Sequence, residues 1–288
     1  MRQRFKAAQE DRLDRLIAAN TKLSRNKARA LIDQGGVYVD GALANAPWRV
    51  VPEGGVVELR TVAPPSTAPE LPERFRDRWL VVVDKPAGLP SQPTPGGDRT
   101  HVYGILTGQH RYVGLHHRLD TPASGLLLLT LDQAANAAIS ADFQAHRVER
   151  RYLAVALGDP GEAGTWAAPI QGEPAVTRWR RLGRGEGISA LLLTLETGRT
   201  HQIRRHGADA GHPLLGDRRY GGAAGRLAPR LALHAVGLAL KHPIRDEPVV
   251  VVGPIPDDLS PVLSSAGLPE GWRAQVEQDL REALRGRG

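Results

Sequence analysis

The chain has no cysteine among its 288 residues. Disulfides, a thiolate nucleophile and cysteine-ligated zinc or iron–sulfur sites are therefore excluded. It also has no apolar run of membrane-spanning length, so no transmembrane helix is expected. The opening stretch MRQRFKAAQEDRLDRL lacks an apolar core and carries acids, so no secretory signal is expected and the cytoplasm is the default location. Histidine is present ten times. His201, His206 and His212, however, are spaced by five and six, which does not stack two ligands on one helix face, and no Glu stands among them. No metal is expected.

What is present fits a folded protein with one large and one small domain: 41% hydrophobic and 24% charged residues. The formal net charge is +7 and the pI is about 10.1, which favours a polyanionic partner. The excess is uneven. Residues 1–60 hold eleven Lys/Arg against seven Asp/Glu, more than half of it in about a fifth of the chain.

Proline density marks a boundary. TVAPPSTAPELPE has four prolines and no periodicity, which predicts a semi-extended linker over residues 61–75. Ahead of it, residues 1–60 read as a small module. Leu13, Leu16 and Ile17 are at helical spacing; Ser24 caps a second helix that stops at Gly35 or Gly36; VYVDGALA turns at Asp40-Gly41; and GGVVELR is a closing strand. Arg25 and Arg29 share one helix face, with Lys22 and Lys27 nearby.

After the linker, residues 76–255 mix strands and helices without regular βαβ alternation. Leu80–Val83, the LLLLTL run, RRYLAVALG and a hairpin in VTRWRRLGRGEGISALLLTLE read as strands. DQAANAAISADFQAHR reads as a helix capped by Asp132, with Ala135, Ile139 and Phe143 on one face. TGRTHQIRRHGADAGHP reads as a helix capped by Thr200 and ended near Gly211. Residues 256–288 form an extension whose helix carries Trp272, Val276, Leu280 and Leu284 in a stripe; its mixed polar face predicts docking on the protein body rather than a membrane. The expected fold class is α+β, a mixed, largely antiparallel sheet, preceded by a small α/β module.

Three sites at strand edges hold polar residues that a plain core does not need: His117-Arg118-Leu119-Asp120, Arg150-Arg151-Tyr152, and GRTHQIRRH with Arg199, Thr200 and Arg204. A carboxylate flanked by arginines at a strand mouth stays ionised and can act as a nucleophile or a base. Arg204 can hold Asp120 by a charge-assisted pair, and Tyr152 offers a flat ring for stacking on a base. Taken singly, each residue reads more often as structure than as function: an ion pair, a core or edge tyrosine, a surface arginine. Spacing alone does not assign a reaction.

Two resemblances do. Ser24, Arg25, Ala28, Ile32, Gly36, Val37, Val39, Asp40 and Gly41 follow the pattern of the ribosomal protein S4-type RNA-binding module, and the match covers nearly all of residues 11–60. HRLDTPASGLLLLT resembles the signature of RluA-type pseudouridine synthases, His-Arg-Leu-Asp-x-x-Thr-Ser-Gly-Leu. VVDKPAGLP, RRYLAV, GRTHQIRRHGADAGHPLLGDRRYGG and LHAVGLALKHP resemble the other family segments, in the family's order, across about residues 77–254. His117, where the sister RsuA-type motif has Gly, favours the RluA branch. Ala123 departs from the usual Thr and removes a hydroxyl from the turn after Asp120.

The resemblance implies isomerisation of uridines in RNA without a cofactor. Asp120 would be the catalytic carboxylate, attacking the sugar or acting as the base that starts C–N cleavage. Arg204 would pair with it, and Tyr152 would stack on uracil and assist the final proton removal. Arg118 would fill the gap left by the flipped base. Arg25, Lys27 and Arg29 of the S4-type module, with His117, Arg147, Arg150, Arg151, Thr200 and His201, would contact RNA. Large-subunit ribosomal RNA is the expected partner, transfer RNA the other option, and a monomer the expected state. A non-catalytic RNA-binding protein on the same fold stays open at this point. A methyltransferase does not fit, because VVVDKPAGLPSQ lacks a glycine-rich cofactor turn.

Overall fold

Leu126–Leu129 form the middle of the larger sheet, each 2% exposed or less. A computed structural model of the chain describes residues 2–33, 36–44, 46–60, 69–94 and 100–286. Residues 61–68 of the expected linker, and Gly35, lie outside the described residues. By contacts the chain divides into two units: Met1–Glu70 with Leu89–His110, and Leu71–Gly88 with Arg111–Gly288.

In the first unit the order is β1 (Arg2–Lys6), β2 (Asp11–Arg12), α1 (Leu13–Asn20), α2 (Arg25–Asp33), β3 (Val37–Val39), β4 (Ala42–Leu43), β5 (Val50–Val51) and β6 (Val56–Arg60). The sheet order is β1-β6-β3-β4, with β2 and β5 pairing separately. Leu13, Leu16, Ile17, Ala28 and Ile32 from the two helices meet Val37, Val39, Val57 and Leu59 in one core. Ser24 Oγ accepts from the Lys27 amide at 3.3 Å and caps α2. Asp40 and Gly41 both have positive φ, 52° and 81°, as the two central residues of a tight hairpin turn require. Strand β1, on the far side of β6, was not expected; RQRFK has too few apolar residues to announce a strand, and its pairing with β6 supplies the reason it forms.

The second unit carries β7 (Glu73–Arg76), β8 (Leu80–Lys85), β9 (Gly114–Leu115), β10 (Ser124–Thr130), α4 (Gln133–Gln144), β11 (Glu149–Leu157), β12 (Ala163–Trp166), β13 (Thr177–Gly185), β14 (Ile188–Leu195), α5 (Gln202–Asp209), β15 (Leu233–Lys241), β16 (Pro248–Val252), α6 (Ser260–Ser265) and α7 (Trp272–Arg285); α3 (Val102–Gln109) groups with the first unit. The sheet runs β12-β13-β14-β11-β15-β10-β8-β7, with β16 added to β15 and β9 to β10. Every pairing is antiparallel except β10 with β15. The sheet is therefore mixed and largely antiparallel, in an α+β fold.

The parallel pairing is only two residues long, Ser124 with His234 and Gly125 with Ala235, after which β16 takes over alongside β15. Gly125 has φ 115°, and a Cβ there would collide with the Ala235 carbonyl. Glycine is required at this point because two backbones approach too closely for a side chain. Val276 and Leu280 of α7 are fully buried against Leu153, Val155 and Val236, so the C-terminal helix covers one face of the sheet. No helix among the described residues is long and apolar enough to cross a membrane.

Candidate active site

Asp120 sits in the turn that feeds β10. The Ala123 amide donates to the Asp120 carbonyl at 3.0 Å and closes the turn. Lys85, at the end of β8 and fully buried, donates from Nζ to the carbonyls of Ala123 (2.6 Å), Pro86 (2.9 Å) and Thr121 (3.4 Å). Burial lowers the Lys85 amine to about 7, against the pull of the Asp120 charge. Just beyond the turn, Ser124 Oγ and His234 Nδ1 lie 2.8 Å apart, both side chains buried. The turn is thus held through backbone carbonyls and not through the side chain of residue 123. Ala123 in place of Thr leaves that hold intact.

The partner of Asp120 comes from α5. Arg204 Nη1 donates to Asp120 Oδ2 at 3.0 Å, while Nε and Nη2 form a bidentate pair with Asp217 at 2.8 Å each. Asp217 also accepts the amides of Arg219 and Tyr220, at 3.0 and 3.1 Å. Burial opposes the Arg204 charge, but Asp217 and Asp120 outweigh it and raise its pKa. Asp217 is held below the ordinary carboxylate range, its burial more than offset by Arg204 and the two amides. Asp217 was missed in the sequence, although Asp-x-x-Tyr after a glycine turn is the pattern of a side chain that accepts amides two and three residues on.

His201 stands at the N-terminus of α5 with φ 58°; its Nδ1 lies 2.9 Å from the Tyr220 hydroxyl and its Nε2 lies 4.0 Å from Asp120 Oδ1. Burial lowers its pKa, with Asp120 opposing, so the ring is neutral at neutral pH. The cap residue is therefore His201, and Thr200 is exposed and does not cap. Instead Gln202 Oε1 accepts the Arg199 amide at 3.0 Å and the Thr197 hydroxyl at 2.7 Å, which shapes the entry to the helix.

Tyr152 comes from β11, at a bulge in the β11–β15 register between Arg151 and Tyr152. Burial raises its phenol pKa and the Asp120 charge adds to this, while the Arg150 charge and a hydrogen bond from Arg150 oppose it. The same alternation corrects Arg151. That side chain points to the opposite face, where it pairs with buried Glu149 at 2.8 Å and packs beside Gly237 under α7. Arg151 is a structural cation away from Asp120, while Arg150 faces Tyr152.

His117 is likewise committed to the fold. It is buried, its Nε2 accepts the Leu128 amide at 3.0 Å, and its ring stacks on Phe143 with centroids 4.9 Å apart. Its neighbour Arg118 is exposed. His206 and His212 serve the fold: His206 lies 2.9 Å from Thr177 Oγ1 and 2.8 Å from the Ala168 carbonyl, and His212 lies 3.0 Å from the Leu157 carbonyl. In the first unit Arg25 and Arg29 both reach Asp14, at 3.0 and 2.9 Å, and Lys27 is exposed.

The structure therefore brings Asp120, Arg204 and His201 together from two segments far apart in sequence, and sets Tyr152 where it senses the Asp120 charge. A buried guanidinium presents a carboxylate beside a neutral phenol ring, an arrangement able to start chemistry at an electrophilic carbon and to stack on a planar base.

Comparison with known proteins places the chain as a whole. The sequence pattern of the RNA pseudouridylate synthase family matches residues 79–209, and that of the S4 domain matches residues 11–57. An uncharacterized RNA pseudouridine synthase of Chloroflexus aurantiacus is 35% identical over 88% of this chain and 89% of its own length. Ribosomal large subunit pseudouridine synthase D of Xylella fastidiosa is 34% identical over 85% of each chain. Among solved structures, human RNA pseudouridylate synthase domain containing 1 is similar with a TM-score of 0.61 and 28% identity, over 76% of this chain and 98% of that one.

Proposed function

This chain belongs to the RNA pseudouridylate synthase family, and on that premise we propose that Asp120, Arg204 and Tyr152 are its working residues and large-subunit ribosomal RNA its substrate. It is an RNA pseudouridine synthase, an isomerase that converts uridine in RNA to pseudouridine. The ion pair between Arg204 and Asp120 carries the assignment of residues. The name of the Xylella fastidiosa relative, ribosomal large subunit pseudouridine synthase D, and the S4 domain in front support the choice of RNA.

The reaction breaks the bond from ribose C1′ to uracil N1, turns the base, joins C1′ to C5 and releases the C5 proton, while N1 takes up a proton, so that product and substrate are isomers. Asp120 opens the sequence, as nucleophile at C1′ or as the base that removes a ribose proton; both need a negative oxygen fixed against the sugar. Arg204 does not leave Asp120 during this step, because Asp217 anchors the other edge of its guanidinium. Tyr152, kept neutral by burial, stacks on the uracil while it turns. Its hydroxyl, facing Arg150, is the group that assists the final proton removal from C5. The target uridine is flipped out of its helix, at a cost of about a few kcal/mol that phosphate contacts offset. Arg118, exposed and two residues before Asp120, fills the vacated place. With ribosomal RNA as substrate, the enzyme works in the cytoplasm.

The test is incubation of the protein with an unmodified transcript of bacterial large-subunit ribosomal RNA, and of transfer RNA, followed by chemical mapping of pseudouridine. New sites on the ribosomal transcript that Asp120→Asn does not make are expected. Sites confined to transfer RNA would overturn the substrate, and an Asp120→Asn variant of near wild-type rate would overturn the residue.

A further inference from the structure

We infer that Asp14 is the internal counter-ion of a three-arginine clamp for neighbouring phosphates of the RNA backbone, an inference that rests on the RNA reading above. Asp14 lies in the first turn of α1 and its side chain is 0% exposed. Its Oδ2 accepts from Arg12 Nη2 at 3.3 Å, Arg25 Nη2 at 3.0 Å and Arg29 Nε at 2.9 Å, and its Oδ1 accepts from Arg12 Nε at 3.2 Å. Burial opposes the charge on Asp14, but hydrogen bonds from Arg25 and Arg29, with the charge of Arg12, bring its pKa down to about 2.

One guanidinium is enough to neutralise one buried carboxylate. Three converge here, so two positive charges are left over. Guanidiniums that share one oxygen repel one another, and on an open surface they would spread apart. Asp14 holds them together from the inside, while the side chains of Arg12, Arg25 and Arg29 remain 37%, 45% and 43% exposed. What faces solvent is a set of ordered, planar N–H forks with net positive charge, which suits phosphate oxygens. Two neighbouring phosphodiesters match the two surplus charges. The side-chain entropy is lost when the module folds and not when RNA binds, which favours affinity. Phosphate contacts carry no base information, so the clamp sets the strength of grip and not the choice of uridine.

The test exploits a sign. Asp14→Asn raises the net positive charge by one, so if the patch acts only through its total charge, the variant binds RNA more tightly. If Asp14 organises a clamp, the variant binds more weakly: about 5- to 20-fold at about 0.1 M salt, with a log K against log salt slope shallower by about one to two phosphates. Binding is measured by anisotropy on a transcript of large-subunit ribosomal RNA, alongside thermal melting. The double variant Arg25→Lys, Arg29→Lys keeps every charge at exposed positions and loses the shared forks; about 3- to 10-fold weaker binding is expected. Asp14→Asn that melts like the wild type and binds as tightly or more tightly overturns the clamp. If Asp14→Asn unfolds the module, wild-type affinity in the double lysine variant overturns it. A wild type that binds no RNA removes the reading beneath and the clamp together, whereas RNA binding that neither variant weakens removes the clamp alone.

Discussion

Each unit of this protein contains an aspartate set among arginines, built in opposite senses. In the first unit the acid is inside: Asp14 is fully buried and its three arginines reach outward. In the second the base is inside: Arg204 is 6% exposed and Asp120 22% exposed. The side chains are of the same two types, but the member of the pair that is sealed in decides which charge the surface presents. Sealing the acid under a surplus of arginines presents cations, fit for phosphate. Sealing the arginine, with Asp217 as its second acid, presents a carboxylate, fit for chemistry on a sugar. Neither arrangement exists for stability alone, since a buried ion pair returns little beyond its own desolvation cost.

The sharpest way to break this comparison is Asp120→Asn. The presented charge vanishes while shape and hydrogen bonding to Arg204 persist, so single-turnover release of the C5 proton should fall by roughly a thousandfold or more. RNA affinity and melting temperature should stay near wild type. Arg204→Gln comes next. It removes the sealed cation and leaves Asp217 buried without its partner, so the rate should drop by about a hundredfold and stability by about 3 kcal/mol, read by urea unfolding.

A third test uses pH. The folded pKa of Lys85, about 7, lies below its ordinary value of 10.5. Between those values the unfolded chain binds the extra proton, so Lys85 makes stability rise with pH across that window and contributes no slope below about 7. In Lys85→Met this slope should disappear, a difference of roughly 3 to 4 kcal/mol between pH 7 and 10, read by urea unfolding at each pH. Asp14 has the opposite window: its folded pKa is depressed to about 2, so the stability it adds is present above about 4 and is lost as pH falls toward 2. The smallest effect is expected from Asp217→Asn, which keeps the shape of the anchor but not its charge. It should lower kcat by about tenfold with KM nearly unchanged, because only the placement of Arg204 is affected.

Much of this was legible in the sequence because it was local. The Asp132 cap, the Asp40-Gly41 hairpin, the buried leucine run and the α7 stripe each follow from spacing within one segment. So did the pairing of Arg204 with Asp120, although only through family resemblance, since 84 residues separate them. The errors have a common cause. Arg151 sits in a polar run beside the expected site, but the bulge at Arg151/Tyr152 decides which alternate side chain turns inward, and His117, in the loop after β9, is drawn inward by the Leu128 amide and the Phe143 ring. Thr200 lies one residue before the N-cap position, which His201 occupies without a side-chain cap bond, in a turn where Gln202 Oε1 accepts the Arg199 amide. Strand β1 needed β6 beside it before its backbone had a partner.

By itself, then, the sequence determined the elements with a strong apolar pattern, the α+β class and most of the polar residues from which a site could be built, because backbone propensity and apolar periodicity act over a few residues. Only the tertiary structure decided which charge of each pair is withdrawn from water. That choice depends on packing from distant segments: Asp217 behind Arg204, Lys85 behind the Asp120 turn, and two helices closing over Asp14. Burial sets the cost of a charge, and burial is a property of the whole fold.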